Sequence, residues 1–178
     1  MHLSGIEPIV KISDYAEDLS KEMPVADFVE QTAKNKALAV ASKLTEDEYD
    51  VILGCDTVIA DNGEIIGKPV DADDAIRTLR RLSNRTHEVF SGVALIDANK
   101  CELFHERTLV KFGAIPNDVI ERYVSCGEPM GLAGSYGIQA GGAMFVESIE
   151  GCFYNVVGLP LHQLAKRLWQ RASQPHQL

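Results

Sequence analysis

Apolar positions along the chain follow two alternating periods. From about Pro24 to Leu44 they recur at helical spacing, with Val25, Val29, Ala33, Ala37, Val40 and Leu44 on one face of a wheel turning about 100° per residue. Pro24 suits a first turn, and Ala, Lys and Glu favour the helical interior. The stretch "DVILGCDTVIA" then runs apolar on both alternating sets, as in a strand covered on both faces. "DNGE" follows as a hairpin turn, since Asn-Gly accepts positive φ. "DADDAIRTLRRL" predicts a helix with an acidic first turn and a basic last turn, the order the helix dipole favours.

Further on, "HEVFSGVALIDANKCELFHERTLVKF" predicts two strands joined around Asp97–Lys100. "IPNDVIERYVSC" predicts a helix stopped by Gly127. "GGAMFVESIEGCFYNVVG" reads as two more strands, and "LPLHQLAKRLWQRA" as a closing amphipathic helix. Interleaved strands and helices with hairpins among them give an α/β or α+β domain built on a mixed sheet with flanking helices. The expectation is a single domain over residues 1–178, with about 171–178 as a tail.

Composition narrows the classes of function. The 178 residues are enough for one domain with a sizeable core, and 46% hydrophobic with 24% charged residues is ordinary for a soluble globular protein. A formal net charge of -9 argues against binding a nucleic-acid polymer, which needs a basic face. It does not argue against one small anion held by a local group of lysines. No apolar run approaches the roughly 20 residues that span a bilayer, and the N-terminus lacks the pattern of a secretory signal. The four cysteines are scattered without a Cys-x-x-Cys pair, which fits reduced thiols in a cytoplasmic protein.

Four positions invite chemistry. Asp56 places a carboxylate inside an apolar strand; from that stretch alone it is either a structural residue or a functional one. Lys68 stands between Gly67 and Pro69. The segment "GEIIGKP" is one residue short of a P-loop and has Pro where Ser or Thr belongs, so Lys68 is either a solvated lysine or a point charge on phosphate. Lys36 falls within the apolar stripe of its helix, which calls for a carboxylate partner, an anionic ligand or a snorkelling stem. "GSYGIQAGG" clusters glycines around Tyr136 and Gln139; it is either a tight turn or a place where backbone approaches a ligand and Gln139 reads a nucleobase edge.

In order and spacing, "GCDTVIADNGEIIGKP", "LSNRTHEVFSGVAL", "GEPMGLAGSYGIQAGG" and "FYNVVGLPL" resemble the motifs of the Maf family of nucleoside triphosphate pyrophosphatases, including the Maf domain of acetylserotonin O-methyltransferase-like proteins. The resemblance runs from about Ile6 to Leu168. It implies a two-lobed fold akin to inosine triphosphatase, with a central cleft, and hydrolysis of dTTP/UTP-type nucleotides to the monophosphate and pyrophosphate with a divalent metal, Mg or Mn. By resemblance Asp56 is the catalytic proton acceptor, and Asp56 with Glu17 the acidic, metal-side residues. Lys36 and Lys68 match phosphate-side lysines, and Thr57 and Gln139 positions typical of the dTTP/UTP branch. The resemblance also implies a homodimer. The chain departs from the pattern at its start, where the family's Ser-x-Ser-Pro-Arg-Arg loop is expected but not found. Arg80-Arg81 cannot replace that loop, because the pair ends a different helix. A nucleotide-binding protein with impaired turnover is therefore the alternative reading. Asn84 stands where the family has Gly, and Asn tolerates the positive φ such a turn needs.

Overall fold

The computed structural model describes residues 7–16 and 18–173. Its order is α1 (Val25–Ala41), β1 (Ile52–Asp61), β2 (Glu64–Ile66), α2 (Ala72–Leu82), β3 (Thr86–Ile96), β4 (Cys101–Phe112), α3 (Asn117–Ser125), β5 (Val146–Glu150), α4 (Phe153–Val157) and α5 (Leu161–Ala172). The five strands form one sheet in the order β2-β1-β3-β4-β5. The expected α/β sheet with flanking helices is present. Its ladders, expected to be mixed, are all antiparallel among the described strands, because each neighbouring pair is joined as a hairpin or an antiparallel return.

Local signals explain most elements. Asn62 and Gly63 both take positive φ, as the hairpin between β1 and β2 requires. Asp71 caps α2 by accepting from the Asp74 N–H at 2.7 Å, with Asp73 and Asp74 in the first turn and Arg80 and Arg81 in the last. Asn84 takes φ 56, so the turn that leads into β3 keeps its left-handed residue without glycine. Gly127, at φ 80, ends the helical run of α3.

The second strand expected in "GGAMFVESIEGCFYNVVG" is a correction. β5 is the one strand there, and "FYNVV" is the short helix α4, closed by Gly158 in the left-handed region. The five residues "FYNVV" carry no period that separates a strand from a buried turn of helix.

The sheet is covered on both faces. α1 crosses β1 and β3 on one side, burying Phe28, Val29, Ala33 and Ala37 against Val58, Ala60, Phe90 and Ala94. On the other side Leu79, Leu82, Ile120 and Phe112 form the main core, and α5 adds Leu164 over Val93 and Leu95. β1 pairs with β2 only at Ile59–Asp61. On that side, residues 52–58 have no strand partner among the described residues. Both faces of β1 meet at this edge, which has no strand partner among the described residues.

Candidate active site at strand β1

Asp56 sits opposite Gly92 in the β1–β3 ladder, on the face that α1 covers. Two glycines set how closely the helix approaches. A Cβ on Gly54 would stand 2.2 Å from the Ala33 carbonyl oxygen, and one on Gly92 2.2 Å from the Val29 carbonyl carbon. The helix backbone thus rests on the sheet itself, and Lys36 reaches Asp56 directly, Nζ to Oδ1 at 2.7 Å. The Asp56 side chain is 10% exposed and that of Lys36 22%. A carboxylate this shielded is costly alone and tolerable when paired. The two anomalies of the sequence, a carboxylate in a strand and a lysine on an apolar stripe, account for each other.

Thr57, next along β1, points to the opposite face. Its hydroxyl donates to the Gly158 carbonyl at 3.2 Å and lies 2.8 Å from the Ser91 hydroxyl, which donates to the Asn155 carbonyl at 3.1 Å. Two hydroxyl protons serve these three contacts, so one contact always lacks its proton. Cys55 also donates to Gly158, and burial pushes its thiol up to about 12, with the Asp56 charge adding to the rise; it stays a neutral thiol rather than a nucleophile.

Beyond Thr57 opens a cleft of about 400 Å³, lined by Thr57, Lys68, Tyr136, Gly137, Gln139 and Gly158 among others. Its far wall is the glycine-rich segment, which backbone hydrogen bonds at both ends hold in place. The Gly67 carbonyl accepts from the Gly134 N–H at 3.0 Å, tying the Lys68 loop to that wall. Gly134 has φ 66, and a Cβ there would fall 2.1 Å from Ile59 Cδ1, so both conformation and space require glycine. Farther along, the Glu128 carboxylate accepts from Tyr123 Oη at 2.8 Å, Gly141 N–H at 3.0 Å and Gly142 N–H at 3.2 Å. Burial opposes its charge. The bonds from Tyr123 and the Gly142 and Gly141 amides outweigh it and hold the carboxyl below its ordinary range.

The Tyr136 hydroxyl meets buried His87, Oη to Nε2 at 2.9 Å. Burial lowers His87 to about 4, so it is a neutral imidazole, wedged edge-on against Phe112 and Tyr136. Gln139 is exposed at the rim.

The structure therefore brings Thr57, Lys68 and Gln139 together around the cleft, and Asp56 with Lys36 on the reverse face of the same strand. The two groups lie on opposite faces of the same strand, β1. Glu17 lies outside the described residues. The residues not anticipated were Glu128, Ser91 and above all Asn155, whose fully buried amide donates to the Val89 carbonyl and to Thr108 Oγ1, each at 3.0 Å. "EP" ahead of the glycine-rich segment was the only available sign of Glu128. Nothing local marks Asn155, because its partners lie on β3 and β4.

Comparison with known proteins decides the kinship. Residues 1–171 match the family model for Maf-like proteins, Maf. The chain belongs to the Maf family. A relative from Clostridium botulinum (strain Kyoto / Type A2), a dTTP/UTP pyrophosphatase, is 43% identical over 148 residues, spanning 82% of this chain and 76% of its own. One of the same name from Clostridium novyi (strain NT) is 46% identical over 141 residues, covering 78% and 73%. A human relative, a probable bifunctional dTTP/UTP pyrophosphatase/methyltransferase protein, is 45% identical over 152 residues; these are 79% of this Maf chain but 24% of the human one. No helix among the described residues of this Maf-family chain is long and apolar enough to cross a membrane.

Proposed function

We propose that this Maf-family chain is a nucleoside triphosphate pyrophosphatase, hydrolysing dTTP and UTP between the α- and β-phosphates to the monophosphate and pyrophosphate. The observation that carries the reading is the shielded Asp56–Lys36 pair on β1, backing a cleft that presents Lys68, Thr57 and Gln139. Relatives above 40% identity that are named for this activity support it.

In this reading the nucleobase enters the cleft, where Gln139 at the rim offers both donor and acceptor to its edge and the Thr57 hydroxyl favours a pyrimidine-sized fit. The polyphosphate crosses the β1 edge. Water forms a new P–O bond as the bond between the α- and β-phosphates breaks, and Asp56 takes the proton the water gives up. Lys36 pairs with the Asp56 carboxylate at 2.7 Å and holds it in position, and Lys68 offsets charge that gathers on the phosphate oxygens.

The donor set suits a hard divalent cation, magnesium or manganese. Among the described residues no group of three His, Cys, Asp or Glu side chains forms a dedicated cage. Asp56 offers one oxygen-donor carboxylate, the family resemblance makes Glu17 a second metal-side residue, and a cation of this type takes its other ligands from phosphate and water. When bound it supplies charge neutralisation to the phosphates.

The test is product analysis with dTTP, UTP and purine triphosphates in magnesium or manganese. Pyrophosphate is expected as the first phosphorus product, fastest from dTTP and UTP. Orthophosphate as the first product overturns the reading.

A further inference from the structure

Lys21 belongs to no motif, yet the fold carries it to the edge of the site. Its neighbours two residues away on either side, Leu19 and Met23, pack on the α1-side core against residues such as Val58 and Ile65. That alternation leaves Lys21 exposed and turned outward, in the irregular segment that precedes α1. Its ammonium comes to the Lys68 loop: a methyl group added at Gly67 would stand 3.5 Å from Lys21 Nζ. Gly67 does not have positive φ, so its backbone makes no demand for glycine. A side chain at this position would meet the Lys21 ammonium at ordinary contact distance.

Two lysines thus converge on Gly67-Lys68 from different sides. Lys68 lines the cleft, while Lys21 arrives from the α1 side, where Asp56 and Lys36 lie. The lysine ion pairs among the described residues are Lys36–Asp56, Lys43–Asp14 and Lys111–Glu147; neither Lys21 nor Lys68 takes part in one. In a protein of net charge -9, two such cations at one loop make a local concentration of positive charge that suits an anion.

We propose that Lys21 is a second phosphate ligand, which grips the β- and γ-phosphates and hence the departing pyrophosphate together with Lys68. This rests on the pyrophosphatase reading above and adds to it. A base in the cleft and a scissile bond near Asp56 leave the tail of the triphosphate over the Gly67 loop, which carries Lys68 and which the Lys21 ammonium approaches.

The experiment measures binding of magnesium pyrophosphate and of dTMP by calorimetry at low salt, alongside pyrophosphate release from dTTP, for the wild type, Lys21→Met and Lys21→Arg. Lys21→Met is expected to weaken pyrophosphate about tenfold while dTMP stays within about twofold, with Lys21→Arg near the wild type, because a point charge is what the site needs. Unchanged pyrophosphate affinity in Lys21→Met, or an equal loss for dTMP, overturns the proposal. The melting temperature of this exposed variant checks that the fold is intact. The two readings fail separately. A wild type that releases no pyrophosphate from dTTP, while Lys21→Met still loses pyrophosphate affinity, removes the enzymatic reading and keeps the anion ligand. Normal turnover with unchanged pyrophosphate binding in Lys21→Met does the reverse.

Discussion

On one face of β1, Gly54 and Gly92 let the α1 backbone lie against the sheet, and Lys36 closes on Asp56. On the other face, Thr57 and Ser91 are tied by hydrogen bonds to the carbonyls of Gly158 and Asn155, and a cleft remains open beyond them. The first face is held by volume: nothing larger than hydrogen fits at two positions. The second is held by donors and acceptors, and its cavity leaves room for change. Such a division keeps the Asp56–Lys36 pair fixed beside a cleft that has room for a ligand.

The strongest way to break the comparison is to add volume to the packed face. Gly92→Val would drive a side chain into the Val29 carbonyl, which is backbone and cannot rotate away. The expected result is loss of roughly 3 kcal/mol or more, or no cooperative folding, read by thermal and denaturant melts. If Gly92→Val folds with near-native stability, α1 does not lie as close as described.

Next comes the charge on that face. Asp56→Asn keeps the shape and is expected to lower turnover by about a hundredfold or more, with the fold retained. Lys36→Met leaves a shielded carboxylate without this partner, so both melting temperature and triphosphate affinity should fall. Combining the two should cost less stability than the sum of the single changes, by about 0.5–3 kcal/mol of coupling. Additive costs would mean that the 2.7 Å pair contributes nothing as a pair.

The cleft side has a pH signature. His87 is lowered from 6.5 to about 4, first by burial, so the unfolded chain binds the proton more tightly than the folded one. Its contribution to stability is complete above pH 6.5 and is lost as pH falls toward 4. Relative to neutral pH, this one group lowers stability by about 2 kcal/mol at about pH 5. His87→Gln should flatten that part of the stability profile while leaving the rest. A wild-type slope that survives in the variant assigns the effect to other groups.

The smallest effect is expected from Thr57→Val, which removes the donor to Gly158 without adding bulk. It should cost about 1 kcal/mol. It should also alter the ratio of dTTP to purine triphosphate turnover more than it alters stability, which a substrate panel can read. Loss comparable to Gly92→Val would show that the cleft face is as intolerant as the packed one.

Elements whose instructions lie within a few residues were legible in the chain itself. The Asn62-Gly63 turn, the Asp71 cap of α2, the left-handed Asn84 and the stop at Gly127 each follow from the backbone preferences of the residues concerned. The stripe from Val25 to Val40 announced the buried face of α1 for the same reason. Other features depend on residues far apart in the chain. "FYNVV" reads equally well as strand or helix, and becomes α4 because Asn155 then reaches the Val89 carbonyl and Thr108. The need for glycine at positions 54 and 92 appears only when a helix some 20 or more residues earlier in the chain is laid across them. Asp56 and Lys36 each posed a separate question in the sequence. Burying unpaired charge is unfavourable, and the packing of α1 on β1 turns the two costs into one interaction. Lys21 carried no signal at all: only the packing of Leu19 and Met23 brings it to the Gly67 loop, because the position of an exposed side chain is set by what its buried neighbours touch.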